Sequence, residues 1–215
     1  MKNTTKLRQL RMKIQEYKRI LIFFVAFLIL IAASPTFSFL FSHPKETFSE
    51  IWILNPDHKA ETYPLEAQPN RTYSMFLGIA NHMNEFSSYL VKVKIRNQTQ
   101  LPPDITNAIP SPLPSLYEFN TSVPNEKTWE TAVNFEIINS TLKNNVTRIS
   151  KIKINESIIP VESITRWDSV NKGFYYSLFF ELWRYNTEIH DYIFDNRFVG
   201  IWLNLTNPIP SETLP

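Results

Sequence analysis

Hydrophobic residues follow two different patterns along this chain, and the change between them divides it in two. Residues 20–41 (ILIFFVAFLILIAASPTFSFLF) form a largely apolar run without a charged side chain. From Phe48 onward, apolar and polar residues alternate in short stretches, which is typical of strands with one buried face. The pattern predicts an apolar helix followed by a β-rich domain.

The apolar run is long enough to form a transmembrane helix. Its 22 residues, rising about 1.5 Å each, span roughly 33 Å and exceed a hydrocarbon core of about 30 Å. Positions 1–19 hold seven Lys or Arg residues and one acidic residue, a net charge of +6. Because basic flanks stay in the cytoplasm, we predict a basic cytoplasmic tail over 1–19, a signal anchor over 20–41, and a single-pass protein with its C-terminal domain outside the cell membrane.

A cleaved signal peptide is the alternative for the same segment. Ile20–Ala33 has the length of a signal-peptide core and follows a basic region. Small residues at Ala32, Ala33 and Ser34 offer a cleavage site, but Pro35 follows directly, which favours the uncleaved anchor. Both alternatives export the domain.

Strand-like stretches continue to the end of the chain after a linker over 42–47. Seven of them have the alternation or the length of strands: Phe48–Leu54, Arg71–Asn81, 89–96, Trp129–Ile137, Thr147–Asn155, Gly173–Tyr185 and Phe198–Leu205. A short extended piece is predicted at Thr62–Leu65, and a loop or helical turn over 186–196. The spacing predicts a mainly β fold, an immunoglobulin-like β-sandwich of about seven strands over 48–206, with a tail over 207–215.

Two of these stretches depart from simple alternation. Gly173–Tyr185 is apolar on both faces, which predicts a central strand covered on both sides. Residues 98–128 contain six prolines, which cannot donate to a strand ladder, so we predict a Pro-rich surface excursion. A loop this long is either functional or poorly ordered.

Composition narrows the possible functions. Residues 20–215 contain 15 basic and 19 acidic residues. This slight excess of negative charge argues against nucleic acid as a partner. The absence of cysteine excludes disulfides and thiolate metal sites. Only three glycines occur, Gly78, Gly173 and Gly200, too far apart for a phosphate-binding loop, and no cofactor is predicted.

Asn-x-Ser/Thr triplets are the most distinctive motif of the chain. Eight occur, whereas 19 Asn and 34 Ser or Thr residues would give about three by chance. Asn3 lies in the predicted cytoplasmic tail and should stay unmodified. The other seven are candidate N-glycosylation sites of an exported glycoprotein: Asn70, Asn97, Asn120, Asn139, Asn145, Asn155 and Asn204. The alternative is that they reflect an Asn-rich composition.

Residues with catalytic potential do not form a recognisable motif. The four histidines, at 43, 58, 82 and 190, lack metal-ligand spacing, and no HExxH occurs. Glu181, Glu188 and Asp191 could pair as carboxylates, but their spacing does not argue for it. The aromatic residues of the C-terminal part are predicted to belong to the core: Phe174, Tyr175, Tyr176, Phe179, Phe180, Trp183, Tyr185 and Trp202. We predict no catalytic and no metal-binding residue.

Several short motifs together resemble an archaeal membrane-protein family of unknown function, domain of unknown function 1616. The motifs are FSEIWILNP at Phe48–Pro56, GIANH at Gly78–His82, Tyr89–Val93, FELW at Phe180–Trp183, and Phe198–Asn204. The resemblance covers most of residues 48–206. It implies a membrane-anchored β-domain that faces outward, and it implies no activity.

These observations predict a non-catalytic interaction module held at the lipid bilayer. Its partners would be other envelope proteins or surface glycans, and residues 98–128 are where a contact is expected, because loops on a rigid scaffold carry binding. Two alternatives stay open. One is an accessory subunit of a membrane complex, and the other is an extracytoplasmic glycan-modifying hydrolase.

Overall fold

The computed structural model describes residues 17–32 and 46–210, and the chain divides into two units at Lys45 and Glu46. Residues 17–32 are helical, and no helix in these two ranges is long and apolar enough to cross a membrane. The remainder of the predicted anchor and tail, residues 33–41 and 1–16, lies outside the described residues, as do Asn3 and His43.

The second unit is a β-domain made of two sheets. In chain order its strands are β1 Phe48–Leu54, β2 Glu66–Ala67, β3 Thr72–His82, β4 Ser87–Asn97, β5 Tyr117–Val123, β6 Lys127–Lys143, β7 Val146–Ile154, β8 Ser157–Arg166, β9 Tyr175–Asn186, β10 Asp191–Leu205 and β11 Ile209–Pro210. The first sheet has the order β1-β3-β6-β7-β8, with β11 beside β6. The second has the order β2-β10-β9-β4-β5. Neighbours are antiparallel except for the pairs β2–β10 and β6–β11.

The mainly β prediction is confirmed, and the seven predicted strands correspond to β1, β3, β4, β6, β7, β9 and β10. β5 and the start of β6 lie inside the predicted excursion 98–128, because no proline occurs between Pro114 and Pro124 and Tyr117–Val123 is free to alternate. β8 was not predicted; it is an edge strand that contains Pro160.

The C-terminal boundaries also differ from the prediction. β10 begins at Asp191, inside the predicted loop, because a bulge between Phe194 and Arg197 breaks the alternation that the sequence pattern relies on. Ile209–Pro210, predicted as tail, pairs with β6. The short extended piece predicted at Thr62–Leu65 stops just before β2 at Glu66–Ala67.

The inward faces of the two sheets form one core. Alternate residues of β3 and β4 are fully or nearly fully buried, among them Met75, Leu77, Tyr89 and Val91. β9 lies between β10 and β4, and its residues 176–182 are all buried. The prediction of a central strand covered on both sides is therefore confirmed.

Two buried tyrosines of the second sheet reach hydroxyl groups of the first. Tyr89 of β4 lies 3.0 Å from the Ser49 hydroxyl of β1. Tyr176 of β9 lies 2.9 Å from the Thr147 hydroxyl of β7 and donates to the Thr147 carbonyl at 3.0 Å. Burial raises the pKa of Tyr176 to about 12. The strand register places these two bridges at opposite ends of the domain, so each end has a polar link between the sheets.

Asparagine takes the place of glycine in the tight turns. None of the glycines has a positive φ, whereas seven of the thirteen non-glycine residues with positive φ in the described chain are Asn: 70, 84, 144, 145, 155, 196 and 207. Asn tolerates the left-handed region better than most residues because its short side chain bonds locally. Turn geometry therefore accounts for part of the Asn-rich composition.

The bridge at Tyr176 is open to a direct test. We expect Tyr176→Phe to lower the free energy of unfolding by about 1–3 kcal/mol, because the buried Thr147 hydroxyl loses its partner. Tyr185→Phe, at a half-buried position of the same strand, should change it by less than about 0.5 kcal/mol. Urea unfolding of both variants measures the difference, and equal losses would contradict a bridging role.

Candidate interaction face

The segment between β4 and β5, residues 98–116, lies on the outer face of the second sheet. Outward-facing residues of β4 and β9 that alternation alone would leave in water are buried there: Lys94, Ser177, Phe179 and Glu181. Ser111 of the segment is itself buried and bonds to this face. Residues 98–116, called the clamped loop below, therefore supply cover for the central strand.

A buried ion pair fixes the clamped loop to the sheet. Lys94 Nζ lies 2.9 Å from Glu181 Oε2, and their side chains are 5% and 0% exposed. Lys94 Nζ also donates to the Ser111 carbonyl at 2.7 Å, and the Ser111 amide donates to Glu181 Oε1 at 2.7 Å. Trp183 Nε1 donates to Glu181 Oε2 at 3.2 Å. Both charges are thus satisfied by one another and by the backbone of a single loop residue.

The tip of the clamped loop is closed by an aspartate turn. Asp104 Oδ1 accepts from the amides of Thr106 and Asn107 at 3.0 and 3.1 Å, and Asp104 Oδ2 accepts from Asn107 Nδ2 at 2.7 Å. A backbone bridge joins Asp104 to Ile109, and Ala108 has φ 57°. Hydrogen bonds from the Asn107 side chain and amide lower the pKa of Asp104. The tip therefore has a defined conformation despite its surface position.

The same turn occurs a second time, at Asp168. Asp168 accepts from the amides of Val170 and Asn171 and from Asn171 Nδ2, and it is bridged to Gly173. Gln98, at the start of the clamped loop, donates to Asp168 Oδ2 at 2.6 Å. Hydrogen bonds from the Asn171 amide, the Asn171 side chain and Gln98 lower the pKa of Asp168 to about 2. Both turns have the sequence pattern D-x-x-N-x. The pattern is visible in the sequence, but the alternation of apolar and polar residues does not reveal the turns.

Cations and aromatic rings alternate across the rest of the outer face. Lys92 Nζ lies 3.6 Å from the ring centroid of Trp183, and the Arg96 guanidinium lies 4.5 Å from that of Trp202. Trp202 is exposed, and Trp183, Tyr175 and Tyr185 are half-buried, so the prediction that the aromatic group belongs to the core is wrong for these four. It is correct for the others: Phe174, Tyr176, Phe179 and Phe180.

The clamped loop displays apolar side chains to solvent. Leu101, Ile105 and Ile109 are 70%, 53% and 56% exposed. Ile105 also lines a groove of about 370 Å³ along the edge of the domain, together with Glu50, Ile51, Trp52, Asn196, Arg197 and Phe198. The ordered loop therefore presents three exposed apolar side chains, one of which borders a groove that also contains Trp52 and Phe198.

The fold does not bring together the histidine, aspartate and glutamate residues of the described chain that were candidates for catalysis or metal binding. His58 pairs with Glu130 at 3.0 Å, His82 with Glu126 at 2.8 Å, and His190 lies in the exposed β9–β10 turn. Asp191 pairs with Asn186, roughly 17 Å along β9 from the buried Glu181, and Glu188 is exposed. Within the described ranges, no three His, Cys, Asp or Glu residues are grouped so that they could hold a metal ion.

All seven candidate glycosylation sites lie in the β-domain. Asn70, Asn120 and Asn145 are exposed, and Asn97, Asn139, Asn155 and Asn204 are half-buried. Asn97, Asn155 and Asn204 accept hydrogen bonds from backbone amides through their side-chain oxygens. The seven triplets are therefore not equivalent in the folded domain.

Comparison with known families identifies the chain. The family described as "Domain of unknown function (DUF1616)" matches residues 42–149, half of the sequence. The chain belongs to this family. The match to DUF1616 includes β1–β6, the clamped loop and Lys94, and it ends before Glu181. A comparison with curated proteins finds no match.

Solved structures share only a loose likeness with the domain. A β-glucosidase from Listeria innocua in complex with isofagomine aligns at 7% identity and TM-score 0.40, over 76% of this chain and 17% of that one. The PapD-like domain 7 of human CEP192 aligns at 12% identity and TM-score 0.33, over 79% and 91%. The chain spans less than a fifth of the glucosidases it matches. Likeness at this level carries no functional argument.

The buried ion pair gives a prediction for stability. Removing one partner leaves a buried charge unpaired, so we expect Glu181→Gln or Lys94→Met to lower the free energy of unfolding by roughly 3–5 kcal/mol. The double variant Lys94→Met/Glu181→Leu should recover most of this loss, because it removes both charges together.

The matched control is an exposed ion pair of the first sheet. Arg148 and Glu162 are 2.8 Å apart but 52% and 75% exposed, so Glu162→Gln should change the free energy of unfolding by less than about 1 kcal/mol. Urea unfolding measures all the variants. A Glu181→Gln loss no larger than that of Glu162→Gln would show that the buried pair does not hold the loop.

Proposed function

We propose that this chain is a non-catalytic binding module of the cell envelope, anchored in the membrane near its N-terminus and exposing its β-domain outside. The support for the anchor is the uncharged run at 20–41 behind seven basic residues. A helix that is apolar around its whole circumference, as residues 20–31 are, is typical of a membrane span or of a protein core.

The observation that carries the binding proposal is the clamped loop. Its backbone is held at Ser111 by two buried charges and at Asp104 by a capped turn. Its apolar side chains at 101, 105 and 109 nevertheless remain exposed. A loop ordered before it meets a partner loses less conformational entropy on binding, so a rigid loop with exposed apolar groups is suited to protein recognition. We therefore favour an envelope protein over a surface glycan as the partner.

We further infer that the sandwich is of immunoglobulin-like type. In such sandwiches strands A, B and E share one sheet, and C, F and G share the other. Here β1, β3 and β6 are neighbours in the first sheet, and β4, β9 and β10 are neighbours in the second. This order supports an immunoglobulin-like type. The clamped loop is then an insertion after β4, the third of these six strands in the chain.

Affinity purification of the full chain in mild detergent tests the binding proposal. We expect Leu101→Asp and Ile105→Asp to reduce recovery of cross-linked envelope proteins at least tenfold, because a charge would be desolvated in the contact. Val170→Asp, at an 85% exposed position on another loop, is the matched control and should leave recovery unchanged. Equal recovery with all three variants, with unchanged unfolding midpoints, would contradict the proposal.

A further inference from the structure

We propose that the domain carries N-linked glycans at Asn70 and Asn120, and that the other five candidate asparagines in the described chain stay unmodified because the fold engages or covers part of each triplet. This inference rests on the proposed export. In the reaction, Asn Nδ2 forms a bond to the anomeric carbon of an oligosaccharide held on a lipid-linked phosphate. The bond from that carbon to the phosphate oxygen breaks, the lipid phosphate leaves, and Nδ2 loses a proton.

Both ends of the triplet must be accessible for this reaction. The Asn amide receives the sugar, and the hydroxyl group two residues further on is part of the recognised motif. A folded domain must also let the glycan point into water. We therefore compare, for each triplet, the exposure and the hydrogen bonds of the asparagine and of the Ser or Thr that follows.

Asn70 meets both conditions. It lies in the turn before β3, is exposed, and has φ 59°. Its backbone amide donates to the Ile137 carbonyl at 2.8 Å, so the turn is held without its side chain. Thr72 is exposed, and its hydroxyl bonds only to surface Glu136 in the described structure.

Asn120 also meets both conditions. It lies on β5 and points away from the core, and both it and Ser122 are exposed; the Ser122 hydroxyl lies 2.9 Å from the hydroxyl of Ser88, at the surface. β5 pairs with β4 on one side, and no described strand pairs with its other side. Unpaired strand edges invite association with other chains. A glycan at Asn120 would stand beside this open edge and shield it.

Asn145 is exposed but fails at the second residue. Its Thr147 is fully buried, and the Thr147 hydroxyl is engaged with Tyr176 between the sheets. Asn145 itself occupies a left-handed turn position, with φ 59°. The tyrosine bridge therefore makes the hydroxyl of this triplet inaccessible, and this separates Asn145 from Asn70, which has the same φ.

Asn97 and Asn204 are held by their own side chains. Asn97 Oδ1 accepts from the amides of Thr99 and Gln100, and Asn97 Nδ2 donates to the Ile164 carbonyl at 2.7 Å. Asn204 Oδ1 accepts from the Phe174 amide at 3.0 Å and packs against Gly173, where a Cβ would collide with it. A glycan on either amide would have to displace these contacts.

The last two triplets have half-buried asparagines. Asn155 takes a left-handed turn with φ 51°, and its Oδ1 accepts from the Asn134 amide at 3.0 Å. Asn139 is half-buried at an irregularity in β6, and Thr141 two residues later is half-buried where β11 pairs with β6. Neither offers an exposed amide beside an exposed hydroxyl.

Site-resolved glycopeptide mass spectrometry tests the assignment. The full chain is produced in a host with an oligosaccharyltransferase, with a flexible Asn-x-Thr reporter appended after residue 215. We expect occupancy at the reporter, Asn70 and Asn120. We expect the double variant Asn70→Gln/Asn120→Gln to lose all glycan mass outside the reporter, whereas Asn97→Gln and Asn145→Gln lose none.

The reporter separates the two ways in which the inference can fail. An occupied reporter with Asn70 and Asn120 empty would overturn the glycan assignment and leave export standing. Occupancy at Asn97, Asn145 or Asn204 equal to that at Asn70 would overturn it as well. An empty reporter would contradict export, and the glycan assignment would fall with it.

Discussion

The buried pair of Lys94 and Glu181 is the interaction on which the arrangement of the outer face depends. Both charged groups are buried. A single loop residue, Ser111, accepts a hydrogen bond from Lys94 through its carbonyl and donates one to Glu181 through its amide. An apolar pair of similar size would be about as stable, so the pair contributes little net stability. What it does contribute is position, because both charges are satisfied when the Ser111 carbonyl lies beside Lys94 and the Ser111 amide beside Glu181.

That constraint links the sheet to the surface it displays. With Ser111 fixed, residues 98–116 cover the central strand and still expose Leu101, Ile105 and Ile109. The aspartate turn at 104 and the Gln98 bond to Asp168 hold the segment at its tip and at its start. The excursion is therefore part of the domain structure, and its apolar residues are presented by a scaffold that the tyrosine bridges keep together.

Alternation along each strand predicted what depends on local residues, such as the bounds of β1 and the two-sided burial of β9. It could not predict the burial of Lys94, because the alternation of its own strand places this side chain in water. The side chain is covered by Ser111, and its counter-charge is Glu181, 70 positions beyond that serine. β8 was missed because of Pro160. The Asn-x-Ser/Thr triplets were visible in the sequence, but the burial of Thr147 against Tyr176 arises only in the fold.

Hydrogen exchange at the amide of Ser111 tests the central claim most directly. That amide is bonded to a fully buried carboxylate, so it should be protected to a degree comparable with the strand amides of β4 and β9. In Glu181→Gln its protection should fall at least tenfold while the strands stay protected. Exchange of the wild-type Ser111 amide at the rate of an unfolded chain would show that the loop is not clamped, and it would contradict the account.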